Sequence, residues 1–207
     1  MRDQFKFLGQ WAKNPLEIAA VSPSGQALAR LMTKDIRPGL GPIIELGPGT
    51  GVFTRAAIGR GVLEEHIAMI ELNPTFAEAL SAQHPKAQIH NASATELQTM
   101  RLFGREAGMV LSGLGLLSMP RHVVEAILVG AFDHLRPGGA FVQFTYGLRC
   151  PVAPDLLQQL GLEAHRIGWT WRNLPPATVY KITKTRSGMV STSDRGIAVK
   201  GQAELTP

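Results

Sequence analysis

Short β-rich runs alternate with longer helical patterns along most of the chain, the pattern of an α/β domain with a mainly parallel sheet and helices on both faces. Pro42 to Leu46, His66 to Leu72, Gln88 to Asn91 and Met109 to Ser112 are predicted strands. Val52 to Gly59, Thr75 to Gln83, Thr95 to Phe103 and Arg121 to Leu135 are predicted helices. Asn73-Pro74 opens the second helix with proline in the first turn, where its missing N–H costs nothing. Arg136-Pro137-Gly138-Gly139 stops the fourth. Ala140 to Tyr146 then alternates and is rich in aromatic and β-branched residues, which predicts a central strand. Ala164 to Trp171 and Ala177 to Thr183 are separated by a loop too short for a crossover helix, so this last pair is expected to be antiparallel.

Two segments precede the first strand. Ser24 to Met32 sets Ala27, Leu28, Leu31 and Met32 at helical spacing and predicts a packed helix. Arg2 to Lys13 places Phe5, Leu8, Trp11 and Ala12 on one stripe with Arg2, Lys6 and Lys13 off it, an amphipathic helix ended by Asn14-Pro15. From Thr185 onward few large apolar side chains remain, so the end is expected to be a mobile tail. The expected organisation is 1–38 for the N-terminal helices, 39–184 for the α/β domain and 185–207 for the tail.

Composition narrows the setting. A chain of 207 residues that is 44% apolar suffices for one domain with a core of its own. The net charge of +5 favours anionic surfaces, nucleic acid or acidic lipid, without choosing between them. A single cysteine, Cys150, excludes an internal disulfide framework and fits a reducing, cytoplasmic compartment. The start lacks the unbroken apolar stretch and cleavage site of a secretory signal. Met109 to Met119 and Ala126 to Phe132, the longest apolar runs, fall short of the about 20 residues a spanning helix needs, so a membrane would be met from one side. The six histidines show no metal-ligand spacing, and no metal is expected.

The most informative segment is Glu45-Leu46-Gly47-Pro48-Gly49-Thr50-Gly51, between a predicted strand and a predicted helix. Its glycines let the backbone turn tightly and approach a ligand with no Cβ in the way. Glu71, at the end of the second strand, is placed to hold both hydroxyls of a ribose. Dinucleotide sites space their glycines to seat a pyrophosphate on the helix N-terminus. Here the third glycine comes one residue early and the acidic Glu45 precedes the loop, which suits a cationic nucleoside such as S-adenosylmethionine better.

On these residues the chain resembles a Rossmann-like class I S-adenosylmethionine-dependent methyltransferase. Val21-Ser22-Pro23-Ser24-Gly25, Ser112-Gly113-Leu114-Gly115-Leu116-Leu117, Phe141 to Tyr146 and Asn173-Leu174-Pro175-Pro176-Ala177 extend the resemblance to the bacterial phospholipid N-methyltransferases, which convert phosphatidylethanolamine to phosphatidylcholine. The resemblance runs from about Phe5 to about Lys181. It implies that Glu45 and the loop Gly47, Pro48, Gly49, Thr50 and Gly51 hold the methionine part of S-adenosylmethionine, Glu71 the ribose and Leu72 one face of the adenine, with Ser112 alongside. It also implies S-adenosylhomocysteine as product. Ala92-Ser93-Ala94 stands where the family usually has Gly-Asp-Ala, so Ser93 and Ala94 would meet the adenine with a hydroxyl in place of a carboxylate. Gly115 replaces the family's proline.

Methyl transfer to an amine is an in-line displacement, so the amine must be positioned with a free lone pair. Tyr146, at the C-terminal end of a central strand, is the expected catalytic group: its ring face suits an ammonium and its hydroxyl can orient the amine. Ser112, Gly113 and Leu114 are expected to turn backbone carbonyls toward that amine. Trp169, Arg172 and Asn173 are expected to border the headgroup phosphate, which arginine can grip bidentately. A lipid headgroup requires docking, and the helix from Arg2 to Lys13 would insert Phe5, Leu8 and Trp11 while Arg2, Lys6 and Lys13 face anionic lipid. The expected place is therefore the cytoplasmic face of the cell membrane. Two other readings stand beside this one. An RNA adenine N6-dimethyltransferase would carry Asn-Leu-Pro and an aromatic where Ser112-Gly113-Leu114-Gly115 stands, plus a C-terminal helical domain, so no nucleic-acid partner is expected. A membrane-binding module that retains the fold without turnover is the second, prompted by Ser93 and Gly115.

Overall fold

The computed structural model describes residues 23–104, 106–171 and 175–185. Arg172, Asn173, the segment from Arg2 to Lys13 and the chain beyond Thr185 lie outside the described residues. The elements are α1 (Pro23–Met32), β1 (Ile43–Leu46), α2 (Val52–Ile58), β2 (Ile67–Glu71), α3 (Pro74–Gln83), β3 (Gln88–Asn91), β4 (Ala107–Ser112), α4 (Arg121–His134), β5 (Leu135–Thr145), α5 (Pro154–Gln159), β6 (Leu162–Thr170) and β7 (Ala177–Lys184), with short 3-10 turns between them. They build a seven-stranded sheet in the order β3-β2-β1-β4-β5-β7-β6. The first five strands are mutually parallel, and β7 runs antiparallel to both β5 and β6.

Strand alternation sorts the core into two layers. Ile44, Leu46, Val110 and Phe141 face α4, α5 and the turn carrying Leu97. Ile43, Met109, Leu111 and Val142 face α1 and α2, while Met69 meets α3 through Leu80. Helices therefore cover both faces, and β1, β2 and β4 read as near-continuous apolar runs because each is buried throughout. Leu28 and Met32 dock α1 on the sheet, with Leu31 partly buried beside them.

The structure differs from the sequence expectation at four places. The predicted helix from Thr95 to Phe103 is only a 3-10 turn, Ala94–Thr99, because Met100 turns extended and Phe103 and Gly104 adopt positive φ of 56° and 62°. Arg136-Pro137-Gly138-Gly139 does not lie outside the sheet. Leu135 already pairs with Ala107, and the four residues bulge out before pairing resumes at Ala140 with Met109, Gly138 taking φ 76°. The helix Pro154–Gln159 was not foreseen: six residues opened by Pro154 are too short for a periodic signal, yet Leu156 and Leu157 enter the core. Thr185, expected to start the tail, donates its backbone N–H to the Gly161 carbonyl at 2.8 Å and closes the sheet edge.

Gly108 shows how close the backbones lie, since a Cβ there would run into the Leu40 carbonyl. Gly108→Ala is expected to cost about 2–3 kcal/mol, measured as a lowered urea midpoint at unchanged slope.

Candidate active site

The loop between β1 and α2 stands at the C-terminal edge of the sheet, where parallel α/β folds bind ligands. Gly47, Gly49 and Gly51 all adopt positive φ, 63°, 56° and 73°, a conformation that L side chains rarely accept. Space adds to the demand at Gly47, where a Cβ would come 2.7 Å from Leu114 Cδ2. The loop is pinned from several sides. Gly47 N–H donates to the Ile70 carbonyl at 2.9 Å, and Gly49 N–H donates to Glu71 Oε2 at 3.0 Å. The other oxygen of Glu71 accepts from Asn73 N–H at 2.9 Å. A carboxylate offers about four acceptor positions, so Glu71 retains capacity for hydroxyl donors while locking the loop to β2. Asn91 braces the same turn, its amide donating to the carbonyls of Glu71 and Leu72.

Glu45, one residue before the end of β1, is 1% exposed. Its Oε2 accepts from the Thr54 hydroxyl of α2, whereas Oε1 is buried with no hydrogen-bond partner. Burial raises its pKa from 4.5 to about 7, against the opposing pull of the Thr54 hydrogen bond and of Arg55. An orphaned, buried carboxyl oxygen on the strand that leads into a glycine turn has the chemistry that the cationic methionine portion of S-adenosylmethionine would require.

The other expected residues are distributed around this loop. Leu72 is exposed immediately after β2, the place required of an adenine cover. Ser93 caps the following 3-10 turn: its hydroxyl accepts from Thr95 N–H at 3.3 Å, and Glu96 reaches back to its N–H. Ala94 begins that turn. Ser112 ends β4 opposite Leu46, and Gly113 N–H donates to the Leu46 carbonyl at 2.8 Å, which brings the segment after β4 against the glycine loop. Tyr146 follows β5, half-buried and edge-on to Phe144 at 5.3 Å, and Phe144 is edge-on to Phe53 at 6.0 Å. This aromatic row joins the first turn of α2 to Tyr146. Trp169 stands two strands away, opposite Thr178, itself opposite Thr145.

Several contributors were missed. Thr54 and Phe53 reach the site because α2 begins directly after Gly51, so that Thr54 folds back onto Glu45 of β1 and Phe53 onto Phe144 of β5. Gln143 is wholly buried, and its amide donates to the Leu114 carbonyl at 2.9 Å. Leu116 N–H donates to the same carbonyl at 3.0 Å, so this carbonyl, expected to turn toward the amine, instead has both acceptor positions taken within the chain. A polar residue at an inward position of a central strand is the signal that could have found Gln143. Among the described residues no group of three His, Cys, Asp or Glu is placed to hold a metal ion, and no helix is long and apolar enough to cross a membrane.

No protein-family model matches the chain. It is similar to an ornithine lipid N-methyltransferase of Singulisphaera acidiphila, 28% identical over 186 residues, covering 87% of this chain and 95% of that protein. Solved structures share its architecture. The glycopeptide N-methyltransferase MtfA complexed with S-adenosylmethionine matches with a TM-score of 0.56 at 14% identity, covering 83% of this chain and 98% of that one. A TehB-like S-adenosylmethionine-dependent methyltransferase of Corynebacterium glutamicum matches at 0.58 and 17% identity, covering 89% and 97%. The fold is that of the class I S-adenosylmethionine-dependent methyltransferases. S-adenosylmethionine is the cofactor of this fold, since its members are crystallised with it, with sinefungin and with S-adenosylhomocysteine. Within that class, the sequence resembles a lipid N-methyltransferase.

A cation is bound best by the ionised form of Glu45, so affinity for S-adenosylmethionine is expected to fall as pH is lowered through about 7. In its absence the sign for stability is opposite. The folded chain keeps a proton that the unfolded chain has lost between 4.5 and about 7, so this group's contribution to stability falls as pH rises through that window. Calorimetric titration and thermal melts across pH, with Glu45→Gln removing both slopes, check this.

Proposed function

We propose that this protein transfers methyl groups from S-adenosylmethionine to the primary amine of a zwitterionic lipid headgroup. The observation that carries the reading is the orphaned, buried Glu45 oxygen on the strand that leads into three left-handed glycines, in a chain whose similarity to a lipid N-methyltransferase extends over 95% of that relative. Bound at this loop, S-adenosylmethionine supplies an electrophilic methyl group on a sulfonium.

The protein's own residues then have separate tasks. Glu45 and the glycine loop fix the cationic end of the cofactor, Glu71 the ribose, and Leu72 and Ser93 flank the adenine. Tyr146 positions the acceptor. Its ring tolerates an ammonium that grows with each methylation, and its hydroxyl orients the amine lone pair along the transfer line. Partial burial of the amine beside Phe144 and Tyr146 favours its neutral, nucleophilic form. Trp169, with Arg172 and Asn173, borders the anionic part of the headgroup.

Phosphatidylethanolamine and ornithine lipid share the needed chemistry, a primary amine with an anion a few bonds away on an acylated molecule. The anion is a phosphate in the first and a carboxylate in the second, and arginine pairs with either. Phosphatidylethanolamine and its methylated derivatives follow from the resemblance in the sequence. The ornithine lipid is favoured by the name of the similar Singulisphaera protein. The enzyme would act as a peripheral protein on the cytoplasmic face of an anionic membrane, with the stripe from Phe5 to Trp11 as one anchor.

Radiolabelled methyl transfer into each lipid dispersed in detergent micelles tests this, with RNA as a further arm. Label is expected in at least one aminolipid and none in RNA. Label in RNA alone, or cofactor binding with no incorporation into any lipid, would replace the proposal by one of the two other readings. Tyr146→Ala is expected to lower kcat/KM about 100-fold and Tyr146→Phe about ten-fold, each with cofactor affinity retained.

A further inference from the structure

We infer that the C-terminal rim of the sheet from β4 to β6 is a bilayer-docking face, independent of the N-terminal stripe, which seats the mouth of the site on an anionic membrane. The inference rests on the lipid reading above.

Its origin is an asymmetry of exposure. Six large apolar side chains stand exposed among the described residues, and only Leu63 lies at the opposite edge of the sheet. Leu72 is the expected adenine cover. The remaining four, Leu117 at 65%, Leu148 at 84%, Trp169 at 61% and Trp171 at 68%, follow or end β4, β5 and β6. Because β7 is antiparallel to both β5 and β6, the C-terminal ends of β5 and β6 point the same way, which sets the two tryptophans on the same edge as Tyr146. Trp169 pairs with Thr178 and Thr178 with Thr145, so the Trp169 backbone lies roughly 10 Å from that of Thr145, two strand spacings away. Leu117 closes the gap on the other side, its Cδ1 3.9 Å from where a Cβ on Gly147 would sit.

Charge selects the occupant. Segments 113–120, 146–153 and 169–171 contain no acidic residue, and Arg149 is exposed beside Leu148. The acid nearest in sequence, Asp155, is paired with Arg121. Glu64, Glu65 and Glu106 lie at the opposite edge, in the segments that lead into β2 and β4, and Asp35 is paired with Lys181 in the middle of β7. Tryptophan and arginine around an apolar rim match the bilayer interface, where indole rings sit at headgroup level and cations meet anionic lipid. Position decides further. A protein partner or a second copy seated on this rim would cover Tyr146, the proposed acceptor-side residue, whereas a bilayer on the rim presents the headgroup to it.

The test uses the full chain and vesicles of phosphatidylglycerol and phosphatidylcholine, which carry no amine to methylate, so docking is read apart from turnover. Trp11→Phe leaves Trp169 and Trp171 as the only indoles, and their emission is expected to shift blue and to be quenched by brominated acyl chains. In that background Leu148→Ser with Trp171→Ser is expected to lower the partition coefficient about ten-fold or more, with activity on micellar lipid kept. Arg149→Gln is expected to lower it about five-fold on anionic vesicles and not at all on pure phosphatidylcholine. Absence of quenching, or equal partitioning of the double variant, would overturn the rim even if micellar aminolipid is methylated. Quenching with no methylation of any aminolipid would leave the docking face standing and remove the lipid-transfer reading. A halved mass of the double variant in sedimentation, with no quenching, would assign the rim to a second copy and overturn the proposal.

Discussion

The hydrogen bonds between the carboxylate of Glu71 and the backbone N–H groups of Gly49 and Asn73 are the constraint on which the rest of the site depends. The three left-handed glycines contribute no side chains to hold the turn, and glycine loses more conformational freedom on folding than any other residue. Here the neighbouring strand supplies the restraint. β2 runs parallel to β1 in a register that sets Leu46 opposite Ile70, so Glu71 arrives one residue beyond the end of β1, beside the turn. A carboxylate charge accepting backbone N–H groups makes stronger hydrogen bonds than a neutral group would. The same side chain that would bind the ribose is thus also the clamp that shapes the loop for the methionine end.

Glu45 and Glu71, two buried acids of one site, differ in their partners. Glu71 spends both oxygens on backbone donors, whereas Glu45 has one hydroxyl donor and one empty oxygen in an apolar wall made by Met69 and Leu111. Desolvation dominates at Glu45 and raises its pKa to about 7. In the proposed reading, a group poised there accommodates a proton when the site holds no cation and gives it up when one arrives.

Much of this could be read from the chain before any coordinates. β1, β2 and β4 were legible because each is a short buried apolar run, and the half-exposed β3 because it falls between helical patterns. The gathering of Glu45, the glycines and Glu71 around one turn was legible because it depends on local spacing. What escaped was set by packing across the sheet. The helix expected from Thr95 gave way to a 3-10 turn because Gly130 of α4 lies against it, where a Cβ would come 2.8 Å from the Gln98 nitrogen, a contact invisible to helical periodicity. Gln143 and Thr54 act on groups 29 and 9 residues away. The bulge at Arg136 to Gly139 looks like a break in one dimension and is a detour within a strand in three.

The aromatic row Phe53, Phe144 and Tyr146 links the two halves of the proposed reaction mechanically. Phe53 lies in the first turn of α2, whose N-terminus is Gly51, and Tyr146 follows β5, so edge-on contacts tie the cofactor loop to the acceptor side through one packed side chain. In-line displacement is sensitive to small misplacements of the two reacting centres. Suspending both from one sheet, with Phe144 between them, makes their separation a property of core packing rather than of mobile loops. By contrast, the segment after β4 combines Gly113 and Gly115 and is held by the Gln143 amide at the Leu114 carbonyl. The position that would be stiffened by proline is left to a buried hydrogen bond, so in the proposed reading the acceptor pocket owes its shape on that side to a polar contact in the core.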